Sequence, residues 1–169
     1  LEDYPFEWRV ETSINSWGSS ADYLGNGTQF FVGGNNDNGA SSTYIPDYPS
    51  TEFILPNTFN TLDFDSVVVY FESYTQLKAY PEALNLVEIS NNQEEWYMVW
   101  MQNNLTDDYI TIQEEVSINI SEFQGEEIYI RFRHDHLYAW AIDNLKVIAY
   151  SQLQGCTDFL ACNYNPDAT

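Results

Sequence analysis

The sequence predicts an all-β fold, an antiparallel β-sandwich with about nine or more strands and little helix. Three observations lead to this prediction. Short runs of alternating apolar and polar residues recur along the chain, and Gly-, Asn- or Pro-containing turns separate them. Aromatic residues make up 17% of the 169 residues, with 13 Tyr, 10 Phe and 5 Trp, a composition typical of strands. No segment shows a convincing helical period, and the length suits one domain with a sizeable core.

The first part of the chain contains four predicted strands. The run Val67-Val68-Val69-Tyr70-Phe71 is continuously apolar and β-branched, which indicates a strand buried on both faces. A turn rich in oxygen donors is predicted over 33–39, directly after the second strand. The predicted strands are residues 8–14, 29–32, 51–55 and 65–71.

The second part contains five more. Residues 84–90 and 96–101 flank the turn 91–95 and form a predicted hairpin. Residues 116–121 alternate in polarity, and Ile128, Ile130 and Phe132 alternate with polar neighbours in the next strand. The last predicted strand, 138–147, carries an Asp among apolar residues.

The charge balance excludes two classes of partner. The chain has 26 acidic and 5 basic residues and a net charge of −21. Such a field repels nucleic acid and anionic lipid, and no apolar run approaches the roughly 18 residues of a membrane span. It attracts cations, and Ca²⁺ prefers oxygen ligands. The simpler interpretation is that the acidity only keeps a secreted protein soluble.

Asp143 is the first candidate site residue. Burying a carboxylate is costly unless it is paired or bound to a metal. Asp143 therefore either contributes to a Ca²⁺ site, caps a turn, or pairs with Arg131 or Arg133.

Other acidic and histidine motifs are weaker. His134-Asp135-His136 could hold a transition metal, but no third ligand is evident and an exposed polar loop is the preferred interpretation. The pairs Glu94-Glu95, Asp107-Asp108, Glu114-Glu115 and Glu126-Glu127 are adjacent in sequence. Neighbours in a strand point to opposite faces, so such pairs do not form the facing dyad that glycoside hydrolysis needs. No nucleophile elbow, phosphate loop or zinc-protease helix is present, so we expect no enzyme activity.

Aromatic residues near predicted loops could stack on sugars, although anchoring roles are more common. The candidates for ligand binding are Tyr44, Tyr48, Trp96, Tyr138 and Trp140; Tyr80 and Tyr109 are weaker ones.

Residues 1–150 resemble the MAM-like jelly-roll domains of the cleaved-adhesin or choice-of-anchor J type. These occur in surface proteins that Bacteroidota export by type IX secretion. The similarity rests on the order of several segments: Leu1 to Trp8, with Leu1 in place of the usual Phe, Phe30-Phe31-Val32 followed by Asn36-Asp37-Asn38, Ser50 to Pro56, Leu86 to Ser90 with Trp96, Ile128 to Arg133 and Trp140 to Val147. The usual Asp-Gly-Gly of the hairpin is replaced by Asn-Gln-Glu. The resemblance implies a jelly roll with a structural Ca²⁺ held by Glu2 and Asp143, for which Asn36, Asp37 and Asn38 are the natural further ligands; Asp3 and Asp47 are weaker ones.

Residues 151–169 are predicted to be a linker and the start of a different module. The run from Gly155 to Thr169 contains both cysteines, Cys156 and Cys162, and resembles a short extracellular repeat of the same surface proteins. Cys156 and Cys162 either bond each other or bond elsewhere. The repeat, together with a first residue other than Met, implies a segment of a longer modular protein whose neighbouring domains are partners of this one.

The sequence thus predicts a non-catalytic, extracellular, Ca²⁺-binding adhesion or recognition module of a cell-surface protein, with a glycan or protein of a cell surface or matrix as partner. The alternatives are a carbohydrate-binding accessory domain of a secreted enzyme and a structural filament or spacer subunit.

Overall fold

The computed structural model describes residues 8–11, 29–34, 50–77, 84–102, 110–123, 125, 127–135, 139–151 and 160. Nine strands lie in this part of the chain, and no helix does. The strands are β1 (Arg9–Glu11), β2 (Phe30–Gly34), β3 (Thr51–Ile54), β4 (Ser66–Leu77), β5 (Leu84–Ser90), β6 (Tyr97–Gln102), β7 (Ile110–Asn119), β8 (Tyr129–Asp135) and β9 (Ala139–Tyr150). The predicted all-β class is confirmed.

The strands form two antiparallel sheets. The five-stranded sheet has the order β1-β2-β9-β4-β7, and the four-stranded sheet has the order β3-β8-β5-β6. Only β1–β2 and β5–β6 pair strands that are consecutive along the chain. The other pairings join distant segments, as in a jelly roll.

Predicted and observed strands agree best where apolar runs are bounded by turns. β5 has the predicted bounds, and residues 91–96 connect it to β6 as a hairpin. β4 continues past its predicted end and β7 starts before its predicted beginning. Polar residues such as Thr75 on β4 and Gln113 on β7 pair with the neighbouring strand just as apolar residues do. Backbone pairing is indifferent to side-chain polarity, so the polarity pattern underestimates their length.

The core lies between the inner faces of the sheets. It consists of buried aliphatic and aromatic side chains from β4, β5, β7, β8 and β9, with Ile120 and Ile128 from the connection between β7 and β8. Val67, Val69 and Phe71 are buried on the inner face of the sheet, whereas on the outer face Val68 is buried and Tyr70 is partly exposed, so the run is fully covered on one face only.

Gly33 explains why β2 continues into the predicted turn. A Cβ atom at Gly33 would lie 2.8 Å from the Trp8 ring, closer than carbon atoms approach without a shift. The absence of a side chain lets the Trp8 ring pack over β2, where it contacts Trp140 at 5.5 Å between ring centroids. Gly33 and Gly34 therefore pair with β9 instead of turning away.

The two ends of the sandwich differ. At one end, which we name the closed end, the connections β3–β4 and β7–β8 are tied together. The buried Thr61 hydroxyl donates to the Phe123 carbonyl at 2.7 Å and accepts the Gly125 amide at 3.0 Å. At the opposite end, the loop end, β2, β4, β6 and β8 finish and β3, β5, β7 and β9 begin.

Among the residues described, no helix is long and apolar enough to cross a membrane.

Candidate functional site

Four connecting segments of the chain are attached to strand ends at the loop end. Residues 35–49, 78–83, 103–109 and 136–138 join the strands that finish there to those that begin there. These segments contain the predicted ligands Asn36, Asp37, Asn38, Tyr44, Tyr48 and Tyr138, which lie outside the described residues, as do Glu2, Cys156 and Cys162. The topology therefore shows only that the strands flanking these segments finish or begin at the same end of the sandwich.

A buried polar network lies at the base of this end. The Asn85 amide donates from Nδ2 to Thr75 Oγ1 at 2.9 Å and to Gln102 Oε1 at 2.7 Å. The Thr75 hydroxyl donates to the same Gln102 oxygen at 2.7 Å. Gln102 Nε2 then donates to Glu114 Oε1 at 2.6 Å, and His134 Nδ1 lies 2.6 Å from Asn85 Oδ1. We name these five residues the base network.

The base network joins the two sheets. Thr75 and Glu114 belong to the five-stranded sheet, whereas Asn85, Gln102 and His134 belong to the four-stranded sheet. Four of the five side chains are buried, and Glu114 is partly exposed. Buried polar groups that satisfy one another fix a single arrangement of their strands. The strand ends that carry the four segments are therefore held in a defined geometry.

His134 corrects an expectation from the sequence. The preferred interpretation placed His134 in an exposed polar loop, but it lies within β8 and is only 4% exposed. Its strand continues because His134 is in register with Thr51 on one side and Asn85 on the other. The side chain points inward, where Asn85 satisfies one ring nitrogen.

Asp143 lies on the outer face of the five-stranded sheet and is 7% exposed. Its Oδ1 accepts the backbone N–H of Asn144 at 2.7 Å. Asn144 has a φ of 52° and sits where the register between β4 and β9 shifts, so it is the extra residue of a β-bulge. This hydrogen bond matches the turn-capping alternative. Arg131 and Arg133 pair elsewhere, with Glu88 and Glu52.

The described donors alone do not make a metal site. Asp143, Glu72 and Glu115 lie on three adjacent strands in one row. Nevertheless, within the ranges given above, no group of three or more His, Cys, Asp or Glu side chains could hold a metal ion. Gly34, the last described residue before Asn36, pairs with Ala139, four positions from Asp143 and so roughly 13 Å away along β9.

Trp140 is a second correction. It was a candidate for stacking on a sugar, yet it is 0% exposed and lies at the centre of the core. Its indole N–H donates to Ser73 Oγ at 3.0 Å, and its ring contacts Phe71, Trp100 and Phe132. Trp140 and Ile142 face inward, since they alternate with the outward Asp143. The Trp140 ring therefore has no face available to a ligand.

Trp96 lies on the outer face of the four-stranded sheet, where it is partly buried. The Arg131 guanidinium carbon is 4.0 Å from the centroid of its ring. Arg131 also donates to the buried Glu88 at 2.9 Å and pairs with Glu52 at 2.9 Å. One ring face is therefore occupied by a cation, which leaves at most the other for a ligand.

Two carboxylate pairs behave as expected. Glu94 and Glu95 are exposed in the hairpin turn. Glu115 points outward opposite Glu72, and Glu114 points inward to Gln102. Neither pair forms a dyad facing across a cleft.

The base network was missed by sequence reasoning. The available signal was the phase of polar residues within strands: Asn85 shares the inward phase of Val87 and Ile89, and Gln102 shares that of Trp100. An amide at an inward position is costly to bury alone, so two of them predict each other as partners.

Comparison with protein-family profiles and with curated proteins gives no match. Among solved structures, the K1 cleaved adhesin domain of Lys-gingipain from Porphyromonas gingivalis W83 is similar, with a TM-score of 0.54 and 11% identity. The alignment covers 87% of this chain and 86% of that domain. A structure described as a CBM4 aligns with a TM-score of 0.33 and 10% identity, over 84% of this chain and 94% of the other. The first likeness shows that the two chains share a jelly-roll fold.

Proposed function

We propose that the chain is a non-catalytic adhesion or recognition module of an extracellular protein. It contacts a glycan or protein of a cell surface or matrix through the loop end. The observation that carries this proposal is the topology, which brings four connecting segments to one end of the sandwich. Those segments contain five of the 13 tyrosines, Tyr44, Tyr48, Tyr80, Tyr109 and Tyr138. Tyr supplies large contact area with a polar tip and is favoured at binding surfaces.

The base network supports the same proposal. Recognition by loops needs a rigid scaffold beneath them, because ordering a surface on binding costs affinity. Hydrogen bonds of 2.6 to 2.9 Å between five strands supply that rigidity near the strand ends to which the segments are attached. The similar domain of Lys-gingipain is an adhesin domain by name, which agrees with this role.

We further propose that Ca²⁺ stabilises the fold, with Asp143 as one ligand and Glu2, Asn36, Asp37 and Asn38 as the others. The net charge of −21 favours cation binding, and Asp143 is a buried carboxylate. Ca²⁺ takes six to eight oxygens, so carbonyls must contribute as well. A site shared with Asn36 requires the segment after Gly34 to return along β9.

The test is binding of the full chain to immobilised collagen, fibronectin and laminin and to an array of neutral and acidic glycans. The informative variant is Tyr44→Ala with Tyr48→Ala. The matched control is Tyr97→Ala, a 51% exposed tyrosine near the closed end. We expect at least a tenfold loss of affinity, about 1.4 kcal/mol, for the double variant only. Equal losses in both variants, or binding to none of these probes, contradicts a recognition role for the loop end.

A further inference from the structure

A groove of about 330 Å³ lies on the outer face of the five-stranded sheet, away from the loop end and the base network. Its volume is at the lower end of the range for small-molecule sites, roughly 300 to 1,000 Å³. Three strands supply its lining residues, which are Tyr70, Phe71, Glu72, Glu115, Val116, Asn144, Lys146 and Ile148.

The β-bulge shapes this groove. Tyr70 is in register with Lys146 and Glu72 with Asp143, so Phe71 faces both Asn144 and Leu145 on β9. The extra residue bends β9 and increases the local twist of the sheet at this point. Its positive φ directs the Asn144 amide across the sheet, where Nδ2 donates to Glu72 Oε1 at 2.9 Å.

The charges in the groove are not neutralised by neighbouring groups. Glu72 and Glu115 are directly opposite each other on β4 and β7, an arrangement that destabilises a sheet. The ion pairs seen among the described residues join Glu52 and Glu88 to Arg131 and Arg133 on the other sheet, and none of them includes Glu115 or Lys146. Glu115 and Lys146 therefore have no ion-pair partner in that part of the chain. A ligand that donates hydrogen bonds to Glu72 and Glu115 would relieve their repulsion.

Apolar surface adjoins these charges. Tyr70 lines the groove and is partly exposed, and its hydroxyl lies 3.4 Å from that of Tyr150, an exposed aromatic residue of the same face. Ile148 adds an exposed aliphatic side chain on the same strand as Lys146. The groove thus combines a ring face with donors and acceptors within one small volume.

We propose that this groove binds an uncharged sugar of one or two rings. Hydroxyl groups both donate and accept hydrogen bonds, so a sugar can donate to Glu72 and Glu115 and accept from Lys146. The C–H face of a sugar ring packs against Tyr70. The Lys146 ammonium repels a cationic ligand. The two carboxylates and the net charge of −21 repel an anionic one. The mixed lining therefore selects a neutral polyol.

This site is separate from the loop end and does not depend on the function proposed for it. An experiment can disprove binding at the groove without disproving binding at the loop end, and the reverse also holds. If both hold, the module has two binding surfaces, a sheet face for a neutral sugar and the loop end for its other partner.

The experiment is an NMR titration of the ¹⁵N-labelled full chain with cellobiose, maltose, lactose, mannobiose, xylobiose and diacetylchitobiose. We expect at least one of them to shift the side-chain NH₂ signal of Asn144 in a saturable way. Glu115→Gln and Tyr70→Ala should each weaken this binding at least tenfold. The matched control is Glu94→Gln, which makes the same charge change in the exposed hairpin turn and should leave the affinity unchanged.

Three outcomes overturn the proposal. The first is that none of the six sugars moves the Asn144 signal. The second is that Glu115→Gln and Glu94→Gln have equal effects. The third is that arginine amide, titrated as a cationic probe, binds this groove and the sugars do not. The Tyr44→Ala, Tyr48→Ala double variant should bind the sugar normally, which separates failure of this site from failure of the loop end.

Discussion

The Arg131 guanidinium is held between the Trp96 ring, 4.0 Å from its carbon, and the buried carboxylate of Glu88, 2.8 Å from one of its nitrogens. Two of the five basic residues of the protein, Arg131 and Arg133, converge on Glu88. In so acidic a chain this arrangement stabilises the outer face of the four-stranded sheet. It also explains why a carboxylate is tolerated in the middle of β5.

Removing Arg131 should therefore destabilise the fold strongly. Arg131→Met leaves the charge of Glu88 compensated only by Arg133 at 3.4 Å, and loss of one partner of a buried pair costs about 3 kcal/mol or more. Urea denaturation measures this, with Glu88→Leu/Arg131→Met as the double variant of a thermodynamic cycle. The double variant should be more stable than the sum of the single losses predicts. Additive losses would show that the pair does not interact.

The packing of Trp140 gives a second prediction. Trp140→Phe removes the hydrogen bond to Ser73 and part of the ring volume, and Trp140→Ala leaves a large cavity. We expect a loss of about 3–5 kcal/mol for Trp140→Ala and a smaller one for Trp140→Phe. Met98→Ala, at a 57% exposed position, is the control and should change the unfolding free energy little. Equal stability of Trp140→Ala and the wild type contradicts the core assignment.

The proposed calcium site gives a third prediction. If Ca²⁺ binds as proposed, saturating Ca²⁺ should raise the unfolding midpoint by roughly 5–10 °C over the EGTA-treated protein. Asp143→Ala should abolish that difference, while Asp63→Ala, at an exposed position near the closed end, should preserve it. If Ca²⁺ has no effect on the wild type, Asp143 is not a calcium ligand, and its hydrogen bond with the Asn144 amide has a structural role.

The base network gives a fourth prediction. Asn85→Leu removes the central amide and leaves Thr75, Gln102 and His134 without one partner each. Three buried hydrogen bonds are lost, each worth about 0.5–1.5 kcal/mol, so the variant should lose a few kcal/mol in a denaturant titration. Ser90→Ala, at the opposite end of the same strand, affects only the local turn and should be milder. A loss for Asn85→Leu no greater than that for Ser90→Ala means that the network contributes little.

Tyr70 and Tyr150, on the outer face of the five-stranded sheet, give a fifth prediction. The hydrogen bond with Tyr70 raises the pKa of Tyr150 above its ordinary value of 10.0. The neutral phenol is thus favoured by folding. The resulting stability is present below pH about 10 and is lost as the pH rises through the raised pKa. Tyr70→Phe should lower the pKa of Tyr150, measured from the ¹³Cζ shift of labelled tyrosine. An unchanged pKa would show that the contact is absent in solution.

The fold class could be predicted from the sequence, and the physical reasons are identifiable. The β5–β6 hairpin is bounded by turn residues, and the apolar run from Val67 to Phe71 supplies residues to the core. The polarity pattern could not predict which strands become neighbours. The bulge at Asn144 and the opposition of Glu72 and Glu115 depend on that pairing, so the groove was not foreseeable. The inward position of Trp140 follows from its odd spacing from the outward Asp143, a signal that the sequence contains.

The position of β9 in the larger sheet bears on when this protein can fold. β9 follows the eight other strands along the chain, yet it sits between β2 and β4 and brings Trp140 to the core. A growing chain therefore cannot complete that sheet until its last strand has been synthesised. Such long-range pairing slows folding. Until β9 has been made, the edges of β2 and β4 that it will join remain unpaired, and unpaired strand edges are prone to pairing with other chains.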